Sequence, residues 1–160
     1  MLRGRVSRLM SLAVASVALL TLSGPVVAAS ASPGSHVVVP SSVDKKVLES
    51  TFIAYKLHTH AMVASDRIKW SRVRPSDPLA PLMAYDAADH RFWALANFAL
   101  VLPASYKAEV SFQDGGSYGV YVRTVSGHWR MKGYAGIPLC PSIVPAPVAH
   151  LWHLVHYGGC

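Results

Sequence analysis

Acidic side chains are scarce in this sequence: eight Asp and Glu stand against fifteen Lys and Arg in 160 residues. Cysteine is scarcer, with Cys140 and Cys160 alone. No Gly-x-Ser-x-Gly elbow and no His-Glu-x-x-His pair occurs, so neither of those hydrolytic machineries is signalled. The glycines at 115, 116 and 119 follow a predicted strand and lead into another strand, not a helix, which excludes a phosphate-cradling loop. The N-terminal apolar run, Leu9 to Leu22, is about 14 residues long, short of the roughly 20 needed to span a bilayer as a helix.

What surrounds that run is informative. Arg3, Arg5 and Arg8 precede it, Ser23-Gly24-Pro25 break it, and Val27-Ala28-Ala29 offers small residues at a cleavage position. This order predicts a secretory signal peptide over residues 1–29, cleaved near Ala29, and an extracellular destination. No Cys follows the run, which argues against a lipid anchor, and no Arg-Arg pair signals twin-arginine export. Residues 30–160 then carry twelve basic and eight acidic residues, a net charge near +4. That is mildly basic, far from the dense positive field of a nucleic-acid binder. An exported chain with two cysteines is expected to pair them; a Cys140–Cys160 bridge would close a loop of about 20 residues, worth roughly 3 kcal/mol in the chain-entropy model.

Residues 30–42, rich in Ser, Pro and Gly, read as a flexible leader, and residues 43–160 as a single globular domain. Val43 to Leu57 has helical spacing, with Val47, Leu48, Phe52, Ala54, Tyr55 and Leu57 on one face and Lys45, Lys46, Glu49 and Lys56 on the other. Ser42 is placed to cap it, with Asp44 in the first turn. His58 and His60 follow as solvated helix-end side chains, since residues two apart on a helix cannot share a metal.

Arg67 to Arg74 gathers Arg67, Lys69, Arg72 and Arg74 around Trp70, and is the candidate surface for an anionic partner; an exposed strand is the plainer reading. Pro75, Pro78 and Pro81 stiffen the connection that follows. Strands are predicted at Leu82–Tyr85, Arg91–Val101, Lys107–Phe112, Ser117–Val125 and His128–Tyr134, with turns at Asp114-Gly115 and Ser126-Gly127. Asp86, Asp89 and His90 form the one carboxylate–imidazole group, which suits a turn or, as the sharper alternative, acid–base or metal chemistry.

A proline-led helix is expected over Val148–Tyr157, ended by Gly158-Gly159. His150, His153 and His156 lie on its polar side across an arc of about 120°, too wide for one small ion without other ligands. They remain weak metal candidates, and more simply a solvated face that gains charge below about pH 6.5. The fold class expected is α+β: an antiparallel meander of about five strands, an N-terminal helix, and a C-terminal helix tethered by the disulfide.

Several segments together carry a resemblance. They are Phe92-Trp93-Ala94-Leu95-Ala96-Asn97-Phe98, Val110-Ser111-Phe112-Gln113-Asp114-Gly115-Gly116, Gly119-Val120-Tyr121-Val122-Arg123, His128-Trp129-Arg130 and Gly136-Ile137-Pro138-Leu139-Cys140-Pro141, with the closing helix bearing Trp152 and Leu154. Over about residues 92–160 the chain resembles a group of small secreted actinobacterial proteins with no established function. In that group the closing helix tends to read Trp-Gly-Leu, where this chain has His153. The resemblance implies secretion, one domain and the Cys140–Cys160 bridge, and no activity.

Function is therefore expected to be a non-catalytic extracellular or cell-envelope binding module. Its partner would be an anionic envelope polymer or another secreted protein; nucleic acid is disfavoured and no cofactor is called for. One alternative is a small hydrolase or metal-dependent enzyme using His90 with Asp86 or Asp89, or the C-terminal His row. A second is a protease inhibitor presenting the stiff Pro138–Pro145 loop.

Overall fold

A computed structural model describes residues 34–113, 116–134 and 142–154. In chain order the elements are β1 (His36–Val37), α1 (Ser42–His58), β2 (Arg67–Ser71), β3 (Leu82–Asp86), β4 (Arg91–Val101), α2 (Tyr106–Ser111), β5 (Tyr118–Thr124), β6 (Arg130–Tyr134) and α3 (Ala146–Leu151). All strand pairs are antiparallel and belong to one sheet, ordered β1-β3-β4-β5-β6, with β2 also on β4. The α+β expectation with its antiparallel sheet holds at this level. Cys140 and Cys160 lie outside the described residues, as do residues 138–141 of the stiff loop.

β4 is the axis. Asn97 pairs with both Ser71 of β2 and Tyr118 of β5, so β2 lies on the same edge of β4 as β3. β2 covers Asn97–Val101 and β3 covers Arg91–Leu95. The two are halves of one strand flanking β4, parted by the loop of residues 72–81. Alternation along β4 then sorts side chains to opposite faces. Trp93 and Leu95 join Ala84, Val120, Val122, Val148 and Trp152 under α3. Ala94, Ala96 and Phe98 join Leu48, Phe52 and Tyr121 under α1. A strand buried on both faces reads as continuously apolar, which is how Arg91–Val101 reads.

α1 departs from its expected face. Leu48, Phe52 and Lys56 are buried, spaced by four, whereas Val47 and Ala54 are exposed. The cap is Ser41, not Ser42: its Oγ accepts from the Asp44 amide at 3.0 Å, and the Asp44 carboxylate accepts from the Ser41 amide at 3.1 Å, a capping box.

The stretch expected as a third strand, Lys107–Phe112, is the short helix α2. Ser105 caps it, and Asp66 pins Ser105 through both its amide and its hydroxyl at 2.7 Å. With Ala108 alone buried, the alternation at 107–112 describes a helix lying on the surface, not a strand. Part of the expected leader is also built into the sheet, since His36 and Val37 pair with Tyr85 and Ala84. The closing helix is shorter than expected: α3 ends at Leu151, and residues 155–157 fall outside the described residues.

Candidate functional site: two cationic zones on one sheet face

The basic run at Arg67–Arg74 divides into two kinds of cation. Ile68 and Trp70 turn to the α1 side, where Trp70 stacks 4.6 Å from the Phe98 ring and donates from Nε1 to Glu49 at 3.1 Å. Trp70 is therefore a core contact, not a stacking platform. Arg67 and Lys69 alternate to the opposite face, are exposed, and have no ion pair among the described residues.

Arg72, exposed, and Arg74, half-buried, are both engaged by the loop. Arg72 Nη1 donates to the Asp77 carbonyl at 2.8 Å. Arg74 meets the buried Asp77 carboxylate at 2.8 Å and donates to the His153 carbonyl at 3.1 Å. Hydrogen bonds from Arg74 to Asp77 hold the guanidinium pKa above its ordinary value, against the opposing effect of burial. Arg72 thus closes the loop on itself, and Arg74 braces it against the C-terminal segment.

A second cationic zone lies on the same face near the start of β4, and no motif in the linear chain signals it. Arg91, Trp93, Val122, Arg130, Met131 and Lys132 line a hollow of about 310 Å³. Arg130 pairs with Val122, and Lys132 falls at a register irregularity in β6 that sets its Nζ 5.0 Å over the Trp93 ring. The nearest carboxylate, Asp89, reaches Arg91 Nε only at 4.0 Å. Trp93 is 2% exposed, and its indole Nε1 is buried with no hydrogen-bond partner among the described residues. The three basic residues are separated by up to 41 positions, so only the β4–β5–β6 register could have collected them.

The Asp86–Asp89–His90 group behaves as a turn. Asp86 is buried and accepts from Ser35 Oγ at 3.2 Å and from the Ala88 amide at 3.1 Å. Asp89 accepts from the Arg91 amide at 3.1 Å. His90 has φ 54° and its Nδ1 lies 3.1 Å from the Tyr85 hydroxyl. Neither carboxylate bonds to the imidazole.

The C-terminal histidines do not form a row. His150 is exposed in α3, whereas His153 lies beyond the helix with φ 53°, and His156 is outside the described residues. His153 and His60 share one role. In each case the residue after the cap turns left-handed, its amide and the next amide returning to carbonyls of the last turn: His60 to Leu57, Ala61 to Lys56, His153 to His150, Leu154 to Ala149. This is the Schellman pattern, with His where Gly is usual. Among the described residues no group of three His, Cys, Asp or Glu could hold a metal.

Lys56 was expected on the polar face of α1 and is instead 1% exposed. Its Nζ donates to the Ser111 carbonyl at 2.9 Å, at the end of α2, and lies 4.4 Å from the Tyr134 ring centre and 4.7 Å from that of Phe112. An ammonium suits both the carbonyl end of a helix and the faces of aromatic rings. Burial still pushes its pKa down to about 8. A long apolar stem allows Lys to pack along a core while its head finds acceptors, and here those acceptors lie inside the fold.

No protein-family model, curated protein or solved structure matches the chain. Among the described residues no helix is long and apolar enough to cross a membrane.

Proposed function

We propose that this chain is a non-catalytic module that acts outside the cell by binding an anionic polymer of the envelope. One observation carries the reading: Arg67, Lys69, Arg130 and Lys132 lie on one sheet face with no ion pair among the described residues. Five of the eight acids are committed elsewhere. Asp44 serves the cap and Trp129, Glu49 serves Trp70, Asp66 serves Ser105, Asp77 serves Arg74, and Asp86 serves its own turn.

Along β4, Ala99 (the partner of Lys69) and Trp93 (beside Lys132) are six residues apart. At about 3.3 Å per residue the two cationic zones stand roughly 20 Å from each other. That span suits an extended polyanion better than a single small ion. Export, expected from the N-terminal sequence, would bring such polymers within reach. The enzyme alternative has less to rest on, because the His90 imidazole meets Tyr85 and the nearby carboxylates serve the backbone.

The test is retention on purified cell walls and on soluble acidic polymers. The wild-type chain is expected to be retained at low salt and released as ionic strength rises past the screening range. The double charge reversal Arg67→Glu/Lys69→Glu is expected to weaken retention at least tenfold. Equal retention of that variant, or no retention of the wild type on any acidic material at low salt, would reject the reading.

A further inference from the structure

The hollow at the start of β4 has the features of a built site for a compact anion. Three cations face it from two strands: Arg91 of β4, and Arg130 and Lys132 of β6. Against them, among the described residues, stands one carboxylate, Asp89, 31% exposed and 4.0 Å from Arg91 Nε. The zone therefore carries a surplus of two positive charges. An independent observation points the same way. Trp93 lines this hollow, and among the described residues its buried indole Nε1 has no acceptor; the same is true of Trp152, whereas Trp70 and Trp129 donate to Glu49 and Asp44. Buried donors are nearly always satisfied, so an orphaned one on a residue that lines a cationic hollow is a donor that a bound oxyanion can satisfy.

We propose that this hollow binds a phosphoryl dianion, a phosphate monoester or free inorganic phosphate, with Arg91, Arg130, Lys132 and the Trp93 N–H as its donors. Guanidinium forks suit tetrahedral oxyanions, and an ammonium adds a third point charge. The surplus of two charges matches a monoester better than a diester or a lone carboxylate. A volume of about 310 Å³ exceeds what the phosphoryl group alone would fill, leaving room for the first atoms of a carrier. The inference deepens the anionic-partner reading and rests on it for the presence of such ligands, but its test does not depend on polymer retention.

The test is a titration of the folded, full chain with inorganic phosphate, glycerol 1-phosphate and a glycerol phosphodiester. The indole N–H resonances are followed by NMR at constant ionic strength, with sodium chloride as control. Trp93→Phe assigns the resonance. Phosphate and the monoester are expected to move the Trp93 indole signal saturably, and the diester to bind at least tenfold more weakly. Tighter binding of the monoester than of free phosphate would identify a carried group as the ligand; the reverse would identify the free ion. Arg130→Gln/Lys132→Gln, both exposed positions, is expected to weaken binding at least tenfold while the chain stays folded. Arg67→Glu/Lys69→Glu is expected to leave the titration unchanged, so failure of the polymer reading and failure of this one are separable. An unmoved indole signal, an equal response to chloride, equal affinity for the diester, or full affinity in Arg130→Gln/Lys132→Gln would each overturn the proposal.

Discussion

Arg74 closes on Asp77, guanidinium Nη2 to carboxylate Oδ1 at 2.8 Å, while its Nη1 reaches across 79 positions to the His153 carbonyl. A cation that the linear sequence presents as partner-facing is thus a strut. It ties the 72–81 loop to the chain beyond α3, and the Asp77 carboxylate it serves is 7% exposed. Removing the guanidinium leaves that carboxylate buried and unpaired, which costs about 3–5 kcal/mol in a dry site. Arg74 itself is 30% exposed, so solvent screening reduces this. Arg74→Ala is expected to cost about 2 kcal/mol in urea melts and to leave polymer retention intact. A cycle with Asp77→Ala should show coupling above about 0.5 kcal/mol; additive effects would refute the strut.

Lys56 gives stability an unusual dependence on pH. Its pKa falls from 10.5 in the unfolded chain to about 8 in the fold, because burial disfavours the ammonium. Between those values the unfolded chain binds more protons, so stability rises as pH climbs from about 8. Burial holds the Tyr121 and Tyr134 hydroxyls above 10, the unfolded value. Above about pH 10 the unfolded chain therefore loses phenolic protons first, and the rise turns into a fall. Lys56→Met keeps the stem and removes the charge. It is expected to abolish the rise between pH 8 and 10 in denaturant titrations, and to be stabilising by about 1 kcal/mol at pH 7. An unchanged pH profile in Lys56→Met would show that another group titrates.

His153 occupies a left-handed backbone position, φ 53°, at the end of α3. That conformation costs an L-residue with a side chain about 1–2 kcal/mol relative to glycine. His153→Gly is expected to stabilise the fold by about 1 kcal/mol at most, once the greater freedom of glycine in the unfolded chain is counted, and so to raise the midpoint of thermal unfolding. The Arg74 contact uses the His153 carbonyl and is kept in the variant. A clear loss of stability would mean that the imidazole itself makes a contact worth more than the backbone strain.

Gly119 is needed for packing, not for a turn. A Cβ built there would lie 2.7 Å from Cζ and 2.8 Å from Cε2 of Tyr121. Tyr121 is fully buried on the α1 side of the sheet, its ring lying over the bare backbone of residue 119. Gly119→Ala is expected to cost about 2 kcal/mol by overpacking and to weaken the near-ultraviolet circular dichroism of the buried ring. Thermal unfolding at wild-type temperature would show instead that Tyr121 can swing aside.

Some of this protein is legible because the cause is local. The apolar continuity of Arg91–Val101 follows from burial on both faces, and the Ser126-Gly127 turn joins β5 to β6 as its residues suggest, with the Gly127 amide on the Thr124 carbonyl at 3.1 Å. The helix at 42–58 is legible too, but its buried stripe is not: Lys56 looks polar until Phe112 and Tyr134, 56 and 78 positions away, supply rings for its ammonium. The same distance effect hid α2. Six residues with alternating polarity fit a strand as well as a helix, and Asp66 holding Ser105 decides between them.

By itself, then, the sequence determined the α+β class, the central strand and an excess of positive charge. Only the tertiary structure decided where that charge stands free. Asp77 claims Arg74 while Arg67 and Lys69 have no ion pair among the described residues, and strand register brings Arg91, Arg130 and Lys132 around one hollow beside Trp93. Charge is a property of composition, but its neutralisation depends on which groups the fold places within reach.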